Sequence, residues 1–459
     1  MARPRSTSTL LAVALATAGL FLIAAPLLPV ARAADEIKQQ PNAHLIALGH
    51  KFEGAAGCNN ANCHGAATPK QAPKPAGNEY LTWSDKDKHA EAFKTLTKDA
   101  SNEIIKKLGR PEKPDASPLC TNCHALAAPA NLQMGKFNLK EGVTCGACHG
   151  PYEKWAEPHN KEGGANDLRK KCGYATLDAE NLPYSTQSPE HQKLLKDFGL
   201  YDTRPILARA EKCTSCHLAI DPKLVDAGHP QPIFELAYYT AIENPHWREP
   251  AGYWGTKVWA AGQVVCLRDA MLQLAERATS GASDKLVKDA LDQALGHLEV
   301  FRHLTGGGAA TALETAAKDL KSAGADKGKL ATAAKSAADA ASRMMTAVAT
   351  LKPADANTAA LLGKIAKDAE PAKDAGLRGA QQQALALSSL CASYRTGKGN
   401  VPGGEDVQKI IDEKLLAAVG DEASFKPDDY AKTLQEAATK LSLMLPGGGG
   451  NVPDPIDLK

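Results

Sequence analysis

Aromatic side chains, net charge and long hydrophobic runs are all scarce in this sequence of 459 residues. Aromatic residues make up 5% of the chain, and the formal net charge is +2 at pH 7. This charge excludes a nucleic-acid-binding protein that works through a large basic excess. The one extended apolar run, Leu10 to Val30, lies near the amino terminus, which excludes a polytopic membrane protein. A hydrophobic content of 43% excludes wholesale disorder.

The amino-terminal run has the features of a cleavable signal peptide. Arginines precede it, and Ala31-Arg32-Ala33 after it gives the small-x-small pattern that signal peptidase recognises. An uncleaved anchor helix is the alternative, but Pro26 and Pro29 disfavour a continuous helix. We therefore predict a signal peptide over residues 1–33, cleavage after Ala33, and a periplasmic or otherwise exported mature protein. Its cysteines must then be explained in an oxidising compartment.

Six of the 11 cysteines lie in Cys-x-x-Cys-His motifs, which is not the pattern of a disulfide framework. The three motifs are Cys120-Thr-Asn-Cys123-His124, Cys145-Gly-Ala-Cys148-His149 and Cys213-Thr-Ser-Cys216-His217. The two thiols of such a motif add across the two vinyl groups of a haem, and the adjacent histidine binds the iron. Zinc is the alternative, but a zinc site does not require a histidine directly after each second cysteine.

A fourth motif, Cys58-Asn-Asn-Ala-Asn-Cys63-His64, also ends in Cys-His but has four residues between its cysteines. A local disulfide beside an incidental histidine is the alternative interpretation. Because this segment precedes three regular motifs, we interpret it as the first haem site. The sequence thus predicts four covalent c-type haems, with the motif histidines His64, His124, His149 and His217 as proximal iron ligands.

Three cysteines lie outside the motifs: Cys172, Cys266 and Cys391. This odd number leaves at least one of them without an intramolecular disulfide. Cys266 and Cys391 both fall in apolar helical stretches, where a disulfide between them and two buried free thiols are equally compatible with the sequence. No residue of the chain is predicted to be catalytic.

Nine histidines remain after the four proximal ligands. They are His44, His50, His89, His159, His191, His229, His246, His297 and His303. This surplus is enough for a second histidine on each iron, whereas only 6 methionines make Met/His ligation less natural. Bis-histidine iron stays six-coordinate in both redox states, which suits electron transfer. His297 and His303 are expected to be exposed or hydrogen-bonded residues of a helix.

The amino-acid composition of the chain changes near residue 257. Residues 34–256 are punctuated by proline and glycine and hold every motif, whereas residues 257–446 are rich in alanine, leucine and lysine with helical periodicity. Four glycines then begin a predicted flexible tail over residues 447–459. We predict a mainly α fold, in which a loop-rich multihaem cytochrome domain with short helices precedes an α-helical bundle domain.

The segment from Phe52 to His229 resembles the tetrahaem cytochrome c-554 family of multihaem c-type cytochromes. The resemblance rests on motif order, on spacing and on three flanking landmarks. These landmarks are Trp83-Ser84 with Lys88-His89-Ala90, Gly142-Val143-Thr144 before the third motif with Gly150-Pro151 after it, and Glu211-Lys212 before the fourth motif. The four-residue first loop, a longer stretch between the third and fourth motifs, and the bundle depart from the family pattern.

The resemblance implies a set of axial ligand pairs. The first haem pairs His64 with His159, and the fourth pairs His217 with His89. The third pairs His149 with a histidine beyond the fourth motif, for which His229 in Gly228-His229-Pro230 is the best candidate. In the family the second haem, held here by His124, can lack a distal protein ligand. If that position is filled instead, the candidate ligands are His44, His50, His191 and His246. Each proposed distal histidine has the alternative of an ordinary surface residue.

Two classes of function follow. The favoured one is an electron carrier that passes single electrons between a redox donor and a redox acceptor protein. The alternative is a multihaem oxidoreductase that acts on a small nitrogen or sulfur compound at an open second haem. A third hypothesis gives the bundle the task of docking a partner, such as a membrane-associated redox complex. No nucleic-acid partner is expected.

Overall fold

The computed structural model describes residues 40–71, 76–161, 163–178, 186–242 and 248–445. The predicted signal peptide and the predicted tail lie outside these ranges. Within them the chain is helical, and the only β-type pairing is an isolated parallel bridge between Phe52 and Gln133. This confirms the mainly α fold. None of the helices in these ranges is both long enough and apolar enough to span a membrane.

Short helices joined by turns occupy residues 40–242. They are α1 (Ala43–Ile46), α2 (Glu79–Lys86), α3 (Lys88–Thr95), α4 (Asp99–Lys107), α5 (Pro118–His124), α6 (Cys145–His149), α7 (Ala156–His159), α8 (Gly164–Lys171), α9 (Pro189–Phe198), α10 (Ile206–His217), α11 (Pro222–Asp226) and α12 (Leu236–Ile242). Single 3₁₀ turns lie at Ala55–Gly57, Pro114–Ala116, Ala130–Leu132 and Leu139–Glu141. Polar caps begin several of these helices; for example, the Ser188 hydroxyl accepts a hydrogen bond from the His191 N–H.

Longer helices occupy residues 254–445. They are α13 (Trp254–Thr279), α14 (Asp284–Phe301), α15 (Gly307–Ala323), α16 (Lys327–Ala349), α17 (Asp355–Lys367), α18 (Glu370–Lys398), α19 (Gly404–Lys409), α20 (Leu416–Ala418) and α21 (Pro427–Met444). A 3₁₀ turn at Arg302–Leu304 follows α14, and a π-helical turn at Ile410–Leu415 joins α19 to α20. Gly376 interrupts α18 with a φ of 52°, a conformation that favours glycine.

Helix α13 is the centre of the bundle. It packs against α14, α16 and α18, and most of its residues are buried. Trp259, Val264 and Leu267 have no exposed surface. The surrounding helices carry one apolar face each, and their alanines allow close approach of the backbones. The bundle therefore has a continuous core of its own.

The same core reaches into the short helices before it. Helices α10 and α12 pack on α13, and Leu207 and Phe234 join the hydrophobic cluster of the bundle. Polar contacts fix α10 in place: Thr214 Oγ1 donates to Asp269 Oδ2 (2.7 Å), and Arg268 Nη1 lies 2.9 Å from Glu211 Oε1. The helix that carries the fourth motif is thus attached to the bundle, and a domain boundary at residue 256 stays a prediction.

Candidate haem sites

Three of the four motifs end helices. Helices α5, α6 and α10 each finish at a motif histidine, so the two cysteines three positions apart lie on one helix face. The first motif instead follows a chain of turns. There the Asn60 side chain accepts a hydrogen bond from the Asn62 N–H (2.9 Å), and the Gly65 N–H donates to the Asn60 carbonyl (2.9 Å). The four-residue loop is accommodated by turn structure, since its spacing does not match one helical turn.

The proximal histidine of the first motif faces His159. The two rings are parallel within 3°, and their centres are 5.9 Å apart. An imidazole nitrogen binds a first-row metal at about 2 Å, so two imidazoles on opposite sides of one iron have ring centres roughly 6 Å apart. The spacing therefore fits an iron between His64 and His159, the pair that the resemblance implies.

The proximal histidine of the fourth motif faces His89. Their ring centres are 5.8 Å apart and the ring planes cross at 79°. Phe234 stacks on the His217 ring, with ring centres 5.4 Å apart, which restricts the ring orientation. The structure thus also brings together the second implied pair, and its ligation of iron stays a prediction.

At the second motif, the histidine that lies opposite His124 differs from the expected pairing. The His229 ring lies 6.2 Å from that of His124, with planes at 69°, whereas the resemblance pairs His229 with His149. A turn explains the placement: His229 N–H donates to the Leu224 carbonyl (2.9 Å), and Gly228 adopts a φ of 107°. The position opposite His124, expected to be open, thus has an imidazole at metal-binding distance.

In most of the paired rings Nδ1 is hydrogen-bonded, so Nε2 remains available to bind a metal. The Nδ1 partners are Glu79 Oε2 for His64 (2.9 Å), Asp87 Oδ1 for His89 (2.9 Å), Thr95 Oγ1 (3.0 Å) and the Ala92 carbonyl (3.2 Å) for His124, and the Pro230 carbonyl for His229 (2.8 Å). Histidines that bind metals have such partners as a rule, because the hydrogen bond fixes the ring and its tautomer. His159 departs from this pattern, since its Nδ1 is buried without a hydrogen-bond partner among the described residues.

Burial keeps several of these imidazoles neutral, as a metal ligand must be. It lowers the pKa of His217 to about 4, and it also lowers the pKa of His124, His159 and His229. His64 behaves differently, because its hydrogen bond to the Glu79 carboxylate raises its pKa. A carboxylate partner increases the electron-donating strength of an imidazole toward a metal.

The motif cysteines approach one another in two pairs. The interaction of Cys58 of the first motif with Cys145 of the third lowers the pKa of Cys58. The interaction of Cys216 of the fourth motif with Cys123 of the second lowers the pKa of Cys216 to about 7. These contacts bring the first motif next to the third and the second next to the fourth.

The backbone just before the third motif is hydrogen-bonded to helix α3, which carries His89. The Val143 N–H donates to the His89 carbonyl (3.0 Å), and Trp83 Nε1 donates to the Val143 carbonyl (3.0 Å). Gly142 has a φ of 79°, and a Cβ there would lie 2.5 Å from the His89 carbonyl oxygen. These contacts explain why Trp83, His89 and Gly142-Val143 occur together as sequence landmarks.

The remaining histidines lie in several settings. His44 and His191 both approach the Tyr201 ring, at 5.9 and 4.9 Å, and His191 is fully buried. In the bundle, His297 Nδ1 lies 2.9 Å from Gln263 Oε1, and His303 Nε2 lies 2.7 Å from Asp368 Oδ2. Both bundle histidines are thus hydrogen-bonded, whereas His246 lies outside the described residues.

All 11 cysteines are in the described ranges, and no disulfide joins any two of them there. Cys172, Cys266 and Cys391 are buried, and burial raises the pKa of Cys391 to about 12. The described residues include no group of three or more His, Cys, Asp or Glu arranged to hold a metal ion.

Sequence reasoning missed the residues that support the ligands. Asp87 had a local signal, because it is the cap of α3 two positions before His89. Glu79 and Thr95 reach His64 and His124 from 15 and 29 positions away, so no local pattern marks them. Tyr201 is buried and carries no recognisable pattern, and Lys212 is a landmark of the fourth motif without a signal for its burial.

One comparison with known proteins gives a match. The model of the family described as cytochrome c554 and c-prime matches residues 57–150, which contain the first three motifs. The resemblance is thereby confirmed for this region, and covalent haem c and a role in haem-based electron transfer follow for it. No curated protein and no solved structure matches the chain.

Proposed function

We propose that the chain is an exported tetrahaem c-type cytochrome, which carries electrons between redox partners through four covalently bound haems. The observation that carries this proposal is the set of three histidine ring pairs, 5.8–6.2 Å apart, each containing a motif histidine. A haem bound at such a pair supplies one-electron iron chemistry. The residues of the chain would hold the haems through these histidines, most of which they orient by hydrogen bonds and all of which they leave half-buried.

The contacts between motifs support a route for electrons. The Cys58–Cys145 and Cys123–Cys216 contacts favour two adjacent pairs of haems, the first with the third and the second with the fourth. The His217 imidazole is also within electrostatic range of both His89 and His124, which belong to the fourth and second sites. Such closeness is what single-electron transfer between cofactors needs.

The arrangement of the second site favours a carrier over an oxidoreductase. An enzyme acting at this haem needs an open iron position. The His229 ring, 6.2 Å from His124 and held by the Pro230 carbonyl, is placed to fill that position. We therefore assign His229 as the distal ligand of the second haem.

We also propose where the protein is located and with which kinds of protein it exchanges electrons. The predicted signal peptide supports export to the periplasm or an equivalent compartment. The partners are a donor and an acceptor redox protein, and the bundle docks one of them.

The test is the intact mass of the mature holoprotein made in a host with a c-type maturation system. Four haem additions are expected, and the start of the mature chain should fall after Ala33. Three additions would remove Cys58 and Cys63 from the haem sites. Carbon monoxide binding by the reduced protein at the second haem would contradict the carrier and favour the oxidoreductase.

A further inference from the structure

Lys212 carries a positive charge into the interior beside the fourth motif. Only 8% of its surface is exposed. Its Nζ donates to Asn42 Oδ1 (2.6 Å) and to the Pro41 carbonyl (3.3 Å), and it lies 5.8 Å from the centre of the Tyr201 ring. Removing an ammonium group from water is costly, and burial lowers the pKa of Lys212.

Among the described residues, no carboxylate forms an ion pair with this ammonium. Both of its hydrogen-bond acceptors are neutral oxygens. The neighbouring carboxylate of Glu211 is engaged elsewhere, by Arg268 Nη1 at 2.9 Å and by the Thr186 hydroxyl at 2.6 Å. In the part of the chain that the structure describes, Lys212 is therefore a buried cation without a bonded carboxylate.

The ammonium lies near residues of three different motifs. Lys212 directly precedes Cys213 of the fourth motif. Tyr201, whose ring lies against the ammonium, donates its backbone N–H to the carbonyl of His149 in the third motif (3.0 Å). Asn42, which accepts a hydrogen bond from Lys212, lines a small cavity together with Asn122 of the second motif. Lys212 is thus positioned where the two pairs of motifs meet.

Oxidation of a haem adds one positive charge at its iron. A fixed cation nearby opposes that change, and the effect is large where water is excluded and salt screening is weak. We propose that the Lys212 ammonium is a positioning charge that raises the potentials of the haems at the second, third and fourth motifs. It would thereby keep these haems reducible where electrons cross from one pair to the other. This inference rests on the proposed function, because it requires haems at those motifs.

The test measures midpoint potentials of the full-length holoprotein by potentiometric titration of its haem absorbance. Lys212→Met removes the charge at similar volume, Lys212→Arg keeps the charge, and Lys196→Met removes an exposed lysine of α9 as a control. We expect the Lys212→Met variant to shift at least one midpoint to a more negative potential. The Lys212→Arg and Lys196→Met variants should retain the wild-type midpoints.

Unchanged midpoints in a Lys212→Met variant with its full haem content would overturn the inference. The intact mass of the wild type tests the proposed function separately, since a wild type without four haems contradicts that function before any potential is measured. If Lys212→Met fails to attach haem, Lys212→Gln retains an N–H donor for Asn42 and takes its place. Haem loss from both variants would assign Lys212 to haem attachment and would equally overturn the inference.

Discussion

The motif-bearing residues 40–242 and the bundle residues 254–445 build their interiors in opposite ways. The bundle has one continuous hydrophobic core around α13. The motif-bearing region has small separate clusters, one around Phe52 and Leu126, one around Leu168 and Leu194, and one around Phe93, while its helices α10 and α12 join the core of the bundle. A region with such divided cores needs another source of apolar contact. We infer that the haems supply it, whereas the bundle needs none.

The largest effect should come from preventing haem attachment. We expect the full chain made without c-type maturation to lose its fold over residues 40–198, while the bundle, with α10 and α12 packed on it, stays folded. Hydrogen exchange read by mass spectrometry reports both regions in one sample, with the holoprotein as the control. Equal protection of the first region in the two forms would contradict the comparison.

The next largest effect concerns a buried ion pair of the motif-bearing region. Arg169 Nε and Nη2 donate to the two carboxylate oxygens of Asp202 at 2.7 and 2.8 Å, and both side chains are buried. Because Asp202→Asn leaves the Arg169 charge buried and unpaired, we expect a loss of about 3–5 kcal/mol in the free energy of unfolding. Denaturant unfolding measures it, with Asp197→Asn, in an exposed pair with Lys193, as the control. Equal, small losses in both variants would show that the buried pair does not stabilise this region.

The Arg169–Asp202 ion pair also predicts that the free energy of unfolding depends on pH. Burial alone would raise the pKa of Asp202, but the Arg169 guanidinium lowers it from 3.8 to about 2. A lowered pKa contributes stability that is complete above the unfolded value and is lost as the pH falls through the folded value. We expect wild-type stability to fall more steeply than that of Asp202→Asn between about pH 4 and pH 2. Parallel curves for the two proteins would exclude this contribution.

Some features of the molecule could be predicted from the sequence because their causes are local. The two cysteines of a Cys-x-x-Cys-His motif lie about one helical turn apart, and the alanine-rich periodicity places apolar residues on one face of a helix. The partner of His229 could not be predicted, because motif order along the chain does not fix which turn meets which helix. The contact of Glu79 with His64 and that of Lys212 with Asn42 are likewise long-range results of folding, which no local pattern predicts.

A smaller effect should come from the bundle core. Leu298 in α14 is fully buried, and Leu298→Ala should lower the free energy of unfolding of the bundle by about 2–5 kcal/mol through the cavity it leaves. The haem spectrum should remain that of the wild type under native conditions. Leu272→Ala, at a position 49% exposed in α13, is the matched control. A change in haem ligation in Leu298→Ala would show that the bundle core governs the haem sites.

The smallest effect concerns the support of a distal ligand. Asp87 Oδ1 accepts a hydrogen bond from His89 Nδ1, and its negative charge strengthens the imidazole as a donor to ferric iron. Asp87→Asn keeps a good helix cap but removes the charge, so we expect a positive shift in one midpoint potential, on the order of tens of millivolts. The exposed Asp85 gives the control variant Asp85→Asn. Equal midpoint potentials in Asp87→Asn and the wild type would show that the Asp87 charge does not influence the haem potential.

The central claim, that these histidine pairs bind iron, is tested most directly by low-temperature electron paramagnetic resonance of the oxidised holoprotein. Parallel imidazoles split the iron d orbitals that accept their π electrons and give a rhombic low-spin signal, whereas crossed imidazoles leave those orbitals nearly degenerate and give a highly anisotropic one. The ring planes meet at 3° for His64 and His159, at 79° for His89 and His217, and at 69° for His124 and His229. We therefore predict one rhombic and two highly anisotropic low-spin signals from these three sites, beside the signal of the third haem. A high-spin signal that persists unchanged when His229 is replaced by alanine would show that His229 is not an iron ligand, and rhombic signals alone would contradict the paired geometry.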